Sequence, residues 1–166
     1  MTDTPSSLTN SFALDRAKAI RDDARARAIL RGTQRLLRSL NFESLSEVVL
    51  ASGRRADILA IGHNGEIWII EIKSSIADLR ADRKWPEYRD YCDALLFAVA
   101  PEFPAGELPE ETGLILADAY GGELVRNAPR HPLVAPRRKA VTLAFARCAA
   151  GRLLTHIDPT PGSITD

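Results

Sequence analysis

Glu71 and Lys73 close an otherwise apolar run, Ile67-Trp68-Ile69-Ile70-Glu71-Ile72-Lys73. Two residues apart on an extended chain, they project to the same face, so a carboxylate and an ammonium share one surface. The preceding apolar run, Arg55 to Ile61, contains a single acid, Asp57. A three-residue loop His63-Asn64-Gly65, with Gly65 supplying a positive φ, pairs Gly62 with Glu66 and sets Asp57 opposite Glu71. A two-residue Asn64-Gly65 turn shifts the register by one and sends the two acids to opposite faces. If Ala51-Ser52-Gly53 form a comparable loop upstream, Glu47 comes opposite Asp57 as a third carboxylate.

Three carboxylates and one ammonium on an apolar sheet are costly unless the surplus negative charge is neutralised. A divalent cation does this directly. Hard oxygen ligands suit Mg²⁺ or Mn²⁺, which polarise a phosphodiester and yield hydroxide from bound water. Lys73 would orient or deprotonate that water, or stabilise charge in the transition state. The plainer alternative is that Lys73 pairs with Asp57 or Glu71 as a partly buried salt bridge. Glu-x-Lys alone is a weak motif, and its setting discriminates: an acid one hairpin upstream, and a following helix with Lys84 and Tyr88 at i, i+4. Lys84, Tyr88 and Tyr91 either border the site and touch phosphate or pack as core with hydroxyls at the edge.

The elements that must carry these residues can be read from periodicity. Apolar positions at Ala26, Ile29, Leu30, Leu36, Leu37 and Leu40 recur at three and four and mark an amphipathic helix beginning near Leu14. Three strands follow as a meander, Leu45–Ala51, Arg55–Ile61 and Ile67–Lys73. Ser75 and Asp78 form a capping pair for a second helix running through Cys92, which Pro86 restarts or kinks. Ala94–Ala100 is a strand expected parallel to an earlier one. An outer hairpin surrounds Gly121-Gly122, and a last helix spans Arg137–Ala150 with Gly151 as its stop. The fold class is α/β, with a mixed central sheet flanked by helices. Residues 1–11 read as a loose arm, 12–157 as one domain and 158–166 as a loose tail.

The 166 residues hold 22 basic and 22 acidic side chains, with 45% hydrophobic, the balance of an ordinary globular domain. Disordered and fibrous classes drop out. Two distant cysteines and three scattered histidines form no zinc set and fit a reducing cytoplasm. No apolar run reaches membrane-span length, so no membrane partner is expected. The neutral sum hides an asymmetry: eight basic against three acidic residues from Asp15 to Leu40, and seven against none from Val125 to Arg152. Basic segments flanking a neutral centre suit a DNA backbone, although 18 Arg against 4 Lys also fits a GC-rich genome. The cations assigned to DNA are Arg31, Arg35, Arg54, Arg55, Arg137, Arg138 and Lys139. For Arg31 and Arg35 a solvated helix face is the competing reading; for the last three, at a helix start, it is a solvated cluster.

Asp57 followed by Glu71-Ile72-Lys73, in the order helix, three-strand meander, helix, strand, resembles the PD-(D/E)XK phosphodiesterases of the restriction-endonuclease-like fold. Within that superfamily, Arg54-Arg55-Ala56-Asp57-Ile58-Leu59-Ala60, Ile70-Glu71-Ile72-Lys73-Ser74-Ser75 and the stretch from Asp82 to Asp93 are similar to MmcB-type bacterial DNA-repair endonucleases. The resemblance implies an αβββαβ core and a metal-dependent DNA endonuclease acting in repair. In it Asp57 and Glu71 bind Mg²⁺, the Ile72 carbonyl adds a ligand and Lys73 assists attack. Ala56 replaces the name-giving proline, and Gln34 or its neighbours stand where many relatives carry a glutamate, so Glu47 on the first strand is the candidate substitute and one metal or two stays open. The alternatives are a catalytically weak or inactive protein of this fold that binds nucleic acid or a repair partner, and a structural protein whose charged trio only stabilises the sheet. A homodimer stays open, since paired cuts need two sites.

Overall fold

In the computed structural model, which describes residues 6–159, two glycine-ended loops fold three successive strands into a meander: β1 (Phe42–Val49), β2 (Arg55–Gly62) and β3 (Ile67–Lys73). Gly62 N–H donates to Glu66 O at 2.8 Å across His63-Asn64-Gly65, and Gly65 takes φ +79°. Leu50 N–H donates to Arg54 O at 2.7 Å across Ala51-Ser52-Gly53, with Gly53 at φ +81°. Both loops have the three-residue form expected from the sequence. The register that results is Ile58 opposite Ile70 and Ile61 opposite Ile67.

The chain opens with α1 (Ser6–Ser39), and after β3 come α2 (Ile76–Ala81), a 3-10 helix (Trp85–Tyr91) and β4 (Ala94–Val99). Strands β5 (Gly113–Ala117) and β6 (Gly122–Arg126) and helix α3 (Ala135–Ile157) complete it. The six strands lie side by side in chain order. β4 runs parallel to β3 and to β5, and the outer pairs are antiparallel, so the sheet is mixed. This is the α/β arrangement expected, in keeping with a nuclease-like fold. Among the described residues no helix is long and apolar enough to cross a membrane.

Alternation along the strands sends Ile58, Ile70, Leu96 and Ile115 to one face, where they pack under Ile29 and Leu37 of α1. Leu59, Ile69 and Leu95 go to the other, under Tyr88, Tyr91 and Val141. Trp68 lies on the α1 face against Phe42, opposite in parity to Glu71. Gly32 lets α1 reach the sheet's far edge, because a Cβ there would stand 2.1 Å from Asp118 O and 2.3 Å from Gly121 O. Arg35 uses the same approach, donating to Ala119 O and Tyr120 O at 3.0 Å each.

Several expected boundaries move. α1 starts at Ser6, so residues 6–11 are helical, not a loose arm; residues 1–5 and 160–166 lie outside the described set. The second helix is not continuous. Ser75 Oγ accepts from Asp78 N–H and Asp78 Oδ2 from Ser74 N–H, as a capping pair should, but α2 ends at Ala81. Lys84 and Tyr88 therefore do not share an α-helical face: Lys84 is the exposed residue before a 3-10 segment that carries Pro86 in its first turn. Gly151 does not stop α3, which runs on to Ile157. The glycine penalty in a helix interior, about 1 kcal/mol, is too small to end a helix of 23 residues by itself.

Asp93, the residue before β4, ties the second face together. Its carboxylate accepts from the N–H groups of Ile67 and Leu133 at 2.8 Å each and from both terminal nitrogens of Arg138 at 2.6 Å. Burial alone would raise its pKa, but the Arg138 guanidinium and the two N–H donors outweigh it and hold the carboxyl below its usual value. Such a group stabilises the fold fully above the unfolded carboxylate pKa, about 3.9, and the contribution is lost as pH falls through the depressed folded value. Asp93→Ala should lower stability by about 3 kcal/mol, read as a lower urea midpoint at pH 7, with the difference shrinking below about pH 4. A midpoint unchanged by the substitution would deny the clamp a structural role.

Candidate active site

The β2–β3 ladder ends at Ile58 and Ile70, while β3 stays paired with β4 as far as Lys73 and Val99. The next positions in register are Asp57 and Glu71, and there side chains replace the ladder. Glu71 Oε1 accepts from Asp57 N–H at 3.2 Å, and Asp57 Oδ2 accepts from Ile72 N–H at 2.8 Å. Each strand end is thus held by the other's carboxylate, and the fork opens a cavity of about 450 Å³ lined by Asp57, Glu71, Ile72 and Lys73. Glu71 and Lys73 are each only 4% exposed.

Burial pushes both carboxyls up, Glu71 to about 8, and the charge of Asp57 adds to the effect on Glu71. Two acids facing one another in a poorly solvated cleft resist ionising together. Each keeps one oxygen, Asp57 Oδ1 and Glu71 Oε2, without a hydrogen-bond donor among the described residues. Hard oxygens at a site short of positive charge fit a divalent cation that retains several waters.

Lys73 is not bonded to either acid. Its Nζ lies 2.7 Å from Asp82 Oδ2, at the end of α2, and 5.8 Å from the centre of the Phe97 ring. Burial would lower the lysine pKa, but the hydrogen bond and charge of Asp82 outweigh it and raise it, so the group stays an ammonium. A charged donor orients water or stabilises anionic charge; it does not take a proton. Asp82 opens the Asp82–Asp93 stretch, but the sequence does not mark it as a partner of Lys73. Strand periodicity gives no means of locating a residue that returns from a helix end.

Glu47 lines the same cavity but is not one of the facing pair. By count it stands opposite Asp57, between the pairs Ser46–Ile58 and Val48–Ala56. Its φ of +51° is left-handed, and that distortion leaves its carboxylate exposed at the rim, 3.8 Å from Arg55 Nη1. Among the described residues no group of three His, Cys, Asp or Glu side chains forms a metal cage. The wall opposite comes from α1, where an Asp23–Arg27 ion pair, Ala26 and Leu30 line the cavity. Gln34, considered at the sequence level, is instead 3.5 Å from Ser44 Oγ. Asp23 escaped notice because helical spacing alone does not tell which turn of a long helix passes the sheet end. Tyr88 lines the cavity with its hydroxyl donating to Arg55 O at 2.9 Å; Lys84 does not line it.

The seven cations assigned to DNA fall into two groups. Arg35 holds the β5–β6 turn, Arg54 forms a two-point pair with Glu87 at 2.6 and 3.1 Å, and Arg138 is taken by Asp93. Arg31 and Lys139 are exposed, Arg55 borders the cavity and Arg137 lies over the Tyr91 ring.

The raised Glu71 value carries a pH signature. Between the ordinary glutamate range and about pH 8 the folded protein retains a proton that the unfolded chain has released, so stability must fall as pH rises and level off above. In EDTA, wild-type stability should decline with pH across that window by at most about 1.4 kcal/mol per pH unit. Glu71→Gln should flatten the profile. A wild-type profile already flat, or a slope unchanged in the variant, would contradict the buried repulsion.

A family model described as "DNA repair protein MmcB-like" matches residues 14–160. A solved structure of a protein of unknown function from Silicibacter pomeroyi is similar, at 46% identity and a TM-score of 0.80, over 86% of this chain and 97% of that one. No curated protein matches. With nearly the whole sheet and its helices inside the matched span, the chain belongs to the MmcB-like family.

Proposed function

We propose that the protein is a divalent-metal-dependent endonuclease acting on DNA, in keeping with the repair role in the description of its family. One observation carries this reading: Asp57 and Glu71 face each other in an open cavity at a strand fork, with the Lys73 ammonium on the same strand face. The arrangement, together with its order in the chain, supports membership of the PD-(D/E)XK superfamily. Asp57 and Glu71 would hold Mg²⁺ or Mn²⁺, with the Ile72 carbonyl as a further donor; the cation would supply charge neutralisation and an acidified water.

The chain's own residues account for the rest. Asp57 and Glu71 are pre-positioned by the N–H groups they accept from, so little reorganisation is needed on loading. Lys73, pinned by Asp82, presents a fixed positive charge to the phosphate or to the attacking water. Tyr88 and the aliphatic part of α1 narrow the cavity and limit bulk water. Arg55 at the rim and Arg31 on the exposed side of α1 would meet backbone phosphates, giving affinity without sequence preference.

The small acid set favours a second reading. With Glu47 at the rim and Asp23 paired with Arg27, Asp57 and Glu71 are the two carboxylates that face one another, and a weak or inactive protein of this fold that binds nucleic acid or a repair partner would carry the same residues.

Nicking of supercoiled plasmid in Mg²⁺ separates the two. The nuclease reading expects nicking that EDTA abolishes and that falls at least about 100-fold in Asp57→Asn, Glu71→Gln and Lys73→Ala, with DNA binding retained. Binding without nicking in the wild type would support the second reading. Nicking that survives in all three variants would refute the assignment of the site.

A further inference from the structure

A second cavity, of about 490 Å³, lies on the face that carries the 3-10 helix, between that helix, residues 130–134 and the start of α3. Three arginines line it, Arg89, Arg130 and Arg137, together with His131 and one acid, Asp90. Arg137 lies 4.8 Å over the Tyr91 ring and makes no ion pair or side-chain hydrogen bond among the described residues. Arg89 lies 5.2 Å over Trp85 and spends one terminal nitrogen on Glu111 O, while its Nε is buried with no acceptor. Arg130 is paired with Glu66 at 3.1 Å.

These observations converge on an anion. Stacking on an aromatic ring fixes a guanidinium plane and leaves its N–H edge free, a form suited to phosphate oxygens. Three cations against Asp90 and Glu66 leave an excess of one positive charge when His131 is neutral. A phosphodiester carries one negative charge, whereas a phosphate monoester carries nearly two at neutral pH. Neighbouring Arg138 takes no part, being held by Asp93.

Position narrows the ligand further. Asp93, whose backbone carbonyl accepts from His131 beside this cavity, also holds Ile67 at the start of β3, and Glu71 is four residues along the same strand. At 3.3 Å per residue Ile67 and Glu71 stand about 13 Å apart along β3, so the two cavities lie toward opposite ends of that strand. Phosphates recur about every 3.4 Å of duplex axis along one DNA strand, so one backbone can reach both ends of β3. The 3-10 helix joins the sites directly, with Tyr88 in one cavity and Tyr91 under Arg137 at the other.

We propose that this cavity is a second phosphate site that grips the backbone of a nucleic acid away from the Asp57–Glu71 centre. The assignment rests on the proposed function for its ligand, and Arg137 is its principal anchor.

Binding of a fluorescently labelled 20-base-pair duplex, followed by anisotropy in EDTA over a salt series, tests it without requiring turnover. Arg137→Gln should weaken binding about tenfold and reduce the slope of log K against log salt by about 0.9, the loss of one phosphate contact. Arg147→Gln, an exposed arginine on α3 with the same change in net charge, should leave the slope intact. Hydrolysis of bis(p-nitrophenyl) phosphate in Mg²⁺, a diester too short to span the sites, should be equal in wild type and Arg137→Gln. If wild type neither nicks plasmid nor hydrolyses the diester but the slope still drops, the nuclease reading falls and the phosphate site stands. An unchanged slope in Arg137→Gln, equal drops in both variants, or no duplex binding by wild type overturns the site. Protection by inorganic phosphate in a thermal melt, with no change in the DNA slope, would reassign it to free phosphate and overturn it as a backbone contact.

Discussion

The repulsion between Asp57 and Glu71 is the constraint around which the rest is arranged. Two carboxylates cannot be brought together in a half-dry cleft without something that forces them there, and here the backbone does so. Each takes an N–H from the opposite strand just where the ladder gives out, so the hairpin cannot close its last pair without both acids. The fork and the acid pair are therefore one feature: the strands part because side chains have taken over their hydrogen bonds, and the parting makes the cavity. What remains unbalanced is charge, and a cation is the simplest way to balance it.

The surrounding scaffold works to keep that geometry from relaxing. Tight loops closed by Gly53 and Gly65 fix the meander's register, and a slip of one residue would rotate either acid to the other face. Parallel pairing to β4 carries β3 onward past the fork, so Glu71 and Lys73 sit on a strand supported along one edge. Asp82 returns from the end of α2 to fix Lys73, and Asp93 locks the opposite end of the same strand to α3. Charged groups placed at both ends of β3 leave its middle, Ile69 and Ile70, to the two apolar cores.

Much of this was legible in the sequence because it is local. A loop of three residues ending in glycine fixes the register of a hairpin, and register fixes which acids meet; the Asp57–Glu71 pair followed from that arithmetic. Parallel pairing of β4 followed from the helix between it and β3. The failures share a physical cause. Glu47 had the right count, but it takes a left-handed backbone conformation and keeps its carboxylate exposed at the rim, and composition does not reveal a local dihedral. Asp23 and Asp82 reach the site from other elements, and their distance from it in sequence carries no periodic signal. Arg35, Arg54 and Arg138 look like free cations until the acceptors that face them are known. The break between α2 and the 3-10 helix was half visible in Pro86, and the extension of α3 past Gly151 was not.

The central claim is that the paired acids form a cation site. Crystals soaked in Mn²⁺ and measured at the manganese absorption edge test it most directly. The account predicts an anomalous peak between Asp57 and Glu71, bonded to one carboxylate oxygen of each. Clear density for both side chains in the observed arrangement, with no peak between them, would contradict it.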